Sequence, residues 1–222
     1  EKIRSELGMT RTSINPGRVD WSGENPGIYL KDDPKAATYS TLALFFRVVL
    51  SPYGRGHAAI VLGAPDEARG WPQVPNLILT DNQRLMRWIV DGWVTKMPTF
   101  VGKAGLAAMT WLDCCSVEKR PGDLKSRYSE TLRGSGVTVE LVWRDMGPPL
   151  PVEVTKENSA TREHEMYSVF LEAKDAQVLV NGTPLSGAVA QRQFFGRTMS
   201  TAFLAFSETW ISPQPTSHEG AA

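Results

Sequence analysis

Short apolar runs separated by turn-forming residues are the feature that most limits how this chain can fold. "TLALFFRVVL" (41–50), "HAAIVLG" (57–63) and "NLILT" (76–80) are rich in β-branched and aromatic residues, as buried strands are. "VTVELVWR" (137–144) alternates apolar and polar residues with a period of two, which indicates a half-buried strand. An Asn-Gly pair at 181–182 predicts a hairpin turn between further runs of this kind. The chain is therefore expected to be mainly β-sheet.

One segment has a helical period instead of the strand period. In "TDNQRLMRWIVDGWV" (80–94), Leu85, Trp88, Ile89 and Trp93 recur at the spacing of one helix face, which predicts a helix at about 81–95. Many short strands with a single amphipathic helix predict an α+β fold, mainly antiparallel β, in which a curved sheet forms a barrel or cone. A barrel of this size can enclose a ligand cavity, because its interior side chains need not fill it.

Composition divides the chain into three parts. Residues 1–35 are rich in Gly, Pro, Asn, Asp and Ser, which predicts an irregular N-terminal arm. Residues 36–212 contain the strand-like and helical runs and are expected to form a single β-rich domain. Residues 213–222 are mostly polar, so a disordered tail is expected at the C-terminus.

The charge balance and the apolar runs limit the partners that can be expected. The chain has 24 basic and 24 acidic residues, so it lacks the basic surplus that neutralises phosphates, and nucleic acid is not an expected partner. Its longest apolar runs are far shorter than a membrane-spanning helix, so a membrane is not expected either. The partners expected are a small-molecule ligand and, in one of the alternatives below, further copies of the chain.

The few cysteines and histidines bear on cofactors and on the compartment. Cys114 and Cys115 are neighbours, and neighbours on a strand point to opposite faces, so they rarely form a disulfide with each other. Free thiols suit a reducing compartment, which predicts a cytoplasmic location. Two cysteines and three scattered histidines have no zinc-site spacing, and no phosphate-binding loop precedes a helix, so neither a metal nor a cofactor is expected.

One lysine, Lys103, interrupts the otherwise apolar "FVGKAGLAAMTW" (100–111). A desolvated amine loses its proton more easily and can then form a Schiff base with a ketone, which would make Lys103 a catalytic residue. The alternative is a strand-end lysine whose amine reaches water. Lysine is rarely buried without a partner, and this favours the second interpretation.

The same region resembles the acetoacetate decarboxylases and their relatives. "GKAGLAAM" (102–109) is similar to that family's Gly-Lys strand, in which alanines and a methionine follow the lysine. "NLILTDNQ" (76–83) and "WVTKMPTF" (93–100) are similar to its two turn motifs, although a threonine here follows the proline where the family has lysine. The resemblance covers about a fifth of the chain. It implies a β-cone fold and decarboxylase-like lyase chemistry through a Schiff base at Lys103.

Four further residues are candidates for ligand binding. Arg47 interrupts an apolar strand, so it must be paired or exposed; facing a cavity, its planar fork would hold a carboxylate, and the alternative is a salt bridge within the protein. Trp88 of the predicted helix would add an aromatic wall. Glu130 projects inward if the barrel interior is polar, and Arg197 is a cation of the last strand-like segment.

These observations predict a protein that binds a small organic acid or ketone in a barrel or cone cavity, and they leave its status as an enzyme open. If it is an enzyme, Lys103 is the expected catalytic amine. One alternative is a non-catalytic, lipocalin-like carrier with the same cavity. Another is an oligomeric interaction protein, in which strand edges and tryptophans form the interface between copies of the chain.

Overall fold

The computed structural model describes residues 16–214, most of which lie in β-strands. The strands are β1 (Gly17–Glu24), β2 (Gly27–Lys31), β3 (Thr41–Leu50), β4 (Gly56–Leu62), β5 (Asn76–Thr80), β6 (Thr110–Asp113), β7 (Ser116–Arg120), β8 (Arg127–Gly134), β9 (Val137–Met146), β10 (Leu150–Val154), β11 (Glu165–Val180), β12 (Thr183–Pro184), β13 (Ala188–Val189), β14 (Gln191–Phe194), β15 (Arg197–Ser200) and β16 (Ala202–Pro213). Their pairing is antiparallel except between β5 and β6, so the predicted α+β class with mainly antiparallel strands is confirmed.

The helical elements are few, as predicted. The main helix is α1 (Gln83–Gly92), and a 3₁₀ turn at Val94–Lys96 follows it, close to the range expected from the helical period. A second short helix, α2, spans Ala104–Ala108, and another 3₁₀ turn covers Lys156–Asn158. Within the described range, none of the helices has the length and apolar character needed to cross a membrane.

The sheet is strongly curved. Its strands follow the order β6-β5-β4-β3-β1-β16-β11-β9-β8-β7, and β2 continues the position of β1 between β3 and β16. The two end strands, β6 and β7, are joined by Cys114 and Cys115 alone, so the ends of the sheet lie close together. The amide of Cys114 donates to the carbonyl of Thr80 (2.8 Å) and that of Cys115 to the carbonyl of Arg133 (2.7 Å). No pairing between β6 and β7 is present among the described strands, so the curl is not closed into a barrel.

The two faces of the sheet form two separate hydrophobic cores. Along β3, Phe45 points into the curl and packs in one core with Tyr128 and Trp143, while Leu44 and Phe46 point outward. The three inner aromatic side chains are fully buried, so large side chains fill the inside of the curl. Each buried aromatic or aliphatic side chain contributes roughly 1.5–3 kcal/mol to stability.

A helical layer covers the outer face. Asn82 accepts a hydrogen bond from the amide of Leu85 (3.1 Å) and so caps the start of α1. From α1, Leu85, Met86 and Ile89 pack on the outer core, and Trp93 follows them with its ring against Trp21 (centroids 6.3 Å apart). This layer brings the segment after α1 to the edge of the outer face, beside the cavity described below.

The predicted irregular N-terminal arm is wrong for residues 17–31, which form β1 and β2 inside the sheet; residues 1–15 lie outside the described residues. Glycines and polar residues indicate turns locally, but β1 finds strand partners on both sides, and this pairing overrides local preference. A Cβ at Gly23 would collide with the carbonyl group of Arg47, so glycine allows this close approach. The expected C-terminal tail lies outside the described residues from 215 onward.

Replacing Phe45 by alanine is expected to lower the free energy of unfolding by about 3–5 kcal/mol, because the change leaves a cavity in the filled inner core. Urea unfolding followed by tryptophan fluorescence measures the loss. The matched control is Phe195→Ala, since Phe195 is 55% exposed and its removal should cost less than about 1 kcal/mol. Equal losses in the two variants would contradict a filled interior.

Candidate functional site

A cavity of about 700 Å³ opens on the outer face of the sheet. Side chains of β2, β11, β16 and the β14–β15 hairpin line it, together with the segments 96–101 and 154–162. Its walls include Met166, Phe170 and Phe203, which belong to the outer core. This cavity therefore differs from the one predicted from the sequence, which was to lie inside the curl.

An aromatic stack forms one wall of the cavity. Phe170 of β11 stacks on Phe203 of β16 (5.2 Å, 16° between ring planes) and on Phe194 of β14 (5.4 Å, 22°). The β14–β15 hairpin pairs only with itself among the described strands, and Phe194 fastens it to the main sheet. Its turn, Phe195–Gly196, has positive φ at both positions (46° and 76°), as tight hairpin turns require.

Arg192 lies two residues before Phe194, on the same face of β14, and lines the cavity. Its guanidinium carbon is 4.8–5.2 Å from the ring centroids of Tyr29, Phe194 and Phe203. Its Nε atom is buried and has no hydrogen-bond partner among residues 16–214, nor does any carboxylate of that range form an ion pair with it. The result is a cation held among aromatic rings, with its donors still available.

A buried carboxyl group forms the polar floor of the cavity. Glu208 is 3% exposed, and its Oε1 accepts hydrogen bonds from Trp210 Nε1 (2.8 Å) and Asn25 Nδ2 (3.1 Å). Burial raises the pKa of Glu208 to about 7, against the smaller lowering effect of these two bonds. Asn25 is 4% exposed, and its Oδ1 is buried without a partner among the described residues. The floor therefore offers hydrogen-bond acceptors that the described part of the chain leaves unused.

A β-bulge puts Glu208 on the cavity face. Before the bulge, Phe203 faces the outer core and Leu204 the inner core, as alternation requires. Ser207 then takes a positive φ of 52°, and the pairing register with β11 shifts at the same place. After this extra residue the even positions point outward, so Glu208 and Trp210 join the outer face.

Asn25 is on the cavity face by regular alternation, in phase with Trp21 and Tyr29 of the outer core. Asn25 and Pro26 lie between β1 and β2, and Pro26 has no amide hydrogen for the sheet ladder. The Asn25 amide still bonds the carbonyl of Ala205 (3.0 Å), so the residue is held beside β16. Cations lie at the cavity mouth: Arg162 is exposed there, and Lys96 is 3.3 Å from the Glu163 carboxylate.

Arg47 and Glu130, two of the predicted ligand-binding residues, are bonded to each other. Both point into the curl, where the guanidinium donates to the two Glu130 oxygens at 2.9 and 2.8 Å. Glu130 is fully buried and also accepts a hydrogen bond from Tyr128 (2.6 Å), while Glu24 pairs with Arg47 from the other side. The salt-bridge alternative for Arg47 therefore describes this structure, and its fork is occupied by protein carboxylates.

The other three predicted residues also lie outside the lining of the cavity. Lys103 precedes α2, and its amine bonds Asp66 at 2.7 Å; the residues that follow it form that helix and not the strand implied by the family resemblance. Trp88 packs on α1 against neighbouring aromatic rings, and Arg197 is exposed on β15. The chemical role of Lys103 stays a prediction.

Sequence reasoning missed Arg192 and Asn25 and did not select Glu208 as a site residue. One signal was present for Glu208, since it interrupts the apolar run "AFLAFSETWI" (202–211), just as Arg47 interrupts its own strand. Asn25 had a weaker signal, an Asn-Pro pair between two strand-like segments. Arg192 lies in a polar stretch and had none.

Comparisons with protein-family models, with curated proteins and with solved structures found no match to this chain. Among the described residues, no three histidine, cysteine, aspartate or glutamate side chains are grouped so that they could hold a metal ion. The chemistry of the site is therefore inferred from its own residues.

Replacing Arg47 by methionine is expected to lower the free energy of unfolding by about 3–5 kcal/mol, because it leaves the buried Glu130 carboxylate without its cation. Urea unfolding measures the loss, and adding Glu130→Gln to the variant should recover part of it. The control is Arg144→Met, since Arg144 pairs with the exposed Asp175 and its loss should cost less than about 1 kcal/mol. A full loss in the double variant would rule out the uncompensated charge as its cause.

The contribution of Glu208 to the stability of the protein is expected to fall as the pH rises from about 5 to about 8. The native state keeps a proton on Glu208 up to a pKa of about 7, while the unfolded state loses it near 4.5, so the native state binds more protons in this window. The change amounts to at most about 3 kcal/mol.

Glu208→Gln should remove this slope in urea unfolding measured across that pH range. His164 acts in the opposite direction, because burial lowers its pKa, but it is present in both proteins and cancels in the difference. Parallel pH profiles for the two proteins would show that Glu208 does not titrate in this window.

Proposed function

We propose that this protein binds a small organic acid in the outer-face cavity, with Arg192 as the partner of its carboxylate. One observation carries the proposal: a guanidinium surrounded by Tyr29, Phe194 and Phe203 has a buried Nε without a hydrogen-bond partner in the described part of the chain. A planar guanidinium matches a carboxylate with two parallel hydrogen bonds. Arg192 takes this role instead of Arg47, because the carboxylates of Glu130 and Glu24 already occupy the hydrogen-bond donors of Arg47.

The rest of the cavity supports a ligand that is apolar apart from its charged group. The aromatic stack and Met166 offer an apolar surface, and the volume of about 700 Å³ is in the range of small-molecule sites. The rings also exclude water from one side of the guanidinium, which strengthens its attraction to an anion. Lys96 and Arg162 at the mouth add positive charge that favours the approach of an acid.

The proposal is for binding and includes no covalent step. Decarboxylase-like chemistry would need a reactive amine in the cavity, and the amine of Lys103 is instead paired with Asp66 away from it. A ligand carrier needs no such amine, so the carrier alternative fits the same residues. The unpaired thiols of Cys114 and Cys115 support a reducing, cytoplasmic setting as part of this proposal.

Isothermal titration calorimetry with benzoate, hydrocinnamate and isocaproate, each beside its neutral amide, tests the proposal. Carboxylates should bind at least about tenfold more tightly than the amides, and Arg192→Met should abolish this preference. The matched control is Arg197→Met, because Arg197 is on the same hairpin but is exposed. Unchanged binding in Arg192→Met, or no binding by any carboxylate, would overturn the proposal.

A further inference from the structure

We propose that the acid bound in this cavity is a zwitterion, an amino acid with an apolar side chain, whose ammonium group is held by Glu208 and Asn25 while Arg192 holds its carboxylate. The inference rests on the proposed function and deepens it by naming the class of ligand. It is carried by the polar atoms that the cavity leaves without partners.

The first observation is that two groups of opposite charge type line one cavity without pairing. Neither the Arg192 guanidinium nor the Glu208 carboxyl group forms an ion pair with any residue between 16 and 214, and they do not bond each other. A buried ionisable group without a counterion costs stability, so proteins usually pair such groups. A ligand that carries both charges would satisfy both groups at once.

The second observation concerns the kind of hydrogen bond that the floor requires. Asn25 Nδ2 donates a hydrogen bond to Glu208 Oε1, so the Asn25 Oδ1 atom points away as a buried acceptor without a donor among residues 16–214. Both bonds to the Glu208 side chain reach Oε1, and none from the described residues reaches Oε2. The floor therefore presents acceptors, and an ammonium group, which has three donors and no acceptor, complements it. A second carboxylate could not bond the Asn25 Oδ1 atom, which is an acceptor only.

The third observation is that Arg192 and Glu208 line the same cavity of about 700 Å³ as Tyr29. The Arg192 guanidinium carbon is 5.2 Å from the centroid of the Tyr29 ring. Burial raises the pKa of the Tyr29 hydroxyl to about 12, while Arg192 acts to lower this pKa and Glu208 to raise it. Phe203, beside Tyr29 (5.6 Å between centroids), begins the aromatic stack that would receive the ligand side chain. One site thus offers a ligand charged groups, hydrogen-bonding groups and an apolar surface.

Binding of an ammonium group has a consequence for Glu208. A nearby positive charge favours the ionised carboxylate, so a proton that Glu208 holds in the free protein is released when the amino acid binds. The groups that face this carboxyl are Asn25, Trp210 and the neutral Tyr29, and none of them can take up the proton. Affinity for the amino acid should therefore rise with pH from about 5 to about 7.

The test is calorimetry with amino acids and with matched compounds that lack the amino group. L-Phenylalanine is compared with hydrocinnamate, and L-leucine with isocaproate, on the wild-type protein and on Glu208→Gln. The amino acids should bind at least about tenfold more tightly to the wild type, and Glu208→Gln should lose this preference while it still binds the desamino acids. Glu163→Gln, at the exposed mouth, is the control and should keep the preference.

Titrations near pH 6 in two buffers of different ionisation enthalpy measure the proton released. Release is expected with L-phenylalanine on the wild type and should be absent with Glu208→Gln, whose fold is verified by circular dichroism. Phenyllactate, which has a hydroxyl group in place of the ammonium, separates a charged from a neutral donor. If it binds as tightly as L-phenylalanine, the ligand is not a zwitterion and the inference is overturned.

The two proposals fail in different ways. If hydrocinnamate binds as well as L-phenylalanine and Glu208→Gln leaves both unchanged, the zwitterion inference is overturned while acid binding at Arg192 stands. If neither the amino acids nor the desamino acids bind, acid binding itself is overturned and the inference falls with it.

Discussion

The filled inside of the curled sheet leaves the cavity of this protein on the outer face. Phe45, Tyr128 and Trp143 occupy the space that a hollow barrel would offer, and the indole of Trp143 bonds the carbonyl of Gly27 (3.0 Å) across it. Near them, the Arg47–Glu130 pair uses up a cation and an anion that would otherwise be available to a ligand. The cavity is therefore on the outer face, where loops and a hairpin cover the sheet.

A bulge in β16 and the regular alternation of the neighbouring β1–β2 segment supply the polar groups of that cavity. A regular strand would have kept Glu208 on the other face of β16, whereas Asn25 is already in phase with Trp21 on the outer face, and its amide bonds the carbonyl of Ala205. The bulge at Ser207 therefore puts a carboxyl beside the Asn25 amide on an apolar surface. Such departures from regular pairing lower local stability, and they are frequent where a protein places functional groups.

The cation and the acid of the site come from elements that are held in different ways. Glu208 is on a long central strand with partners on both sides, so its position is set by the main sheet. Arg192 is on a short hairpin that is held to the sheet by the stack of Phe194 on Phe170 and by the hydrogen bonds of Ser200 to β11. The aromatic rings that would contact a ligand are thus among the contacts that position Arg192.

The sequence alone determined the positions of several strands and of the main helix, and it required Arg47 to be paired or exposed. Period-two and period-3.6 patterns depend on neighbours a few residues apart, and they predicted β3, β9 and α1 correctly. The apolar surroundings of Arg47 required a partner for it, and the structure supplies Glu130. Tertiary structure decided the rest: Asn25 and Glu208 are 183 residues apart and meet only because β1 and β16 pair. The position of Glu208 on the cavity face depends on the bulge at Ser207. Local composition does not encode this bulge, because only the register with β11 and β1 shows which face each residue takes.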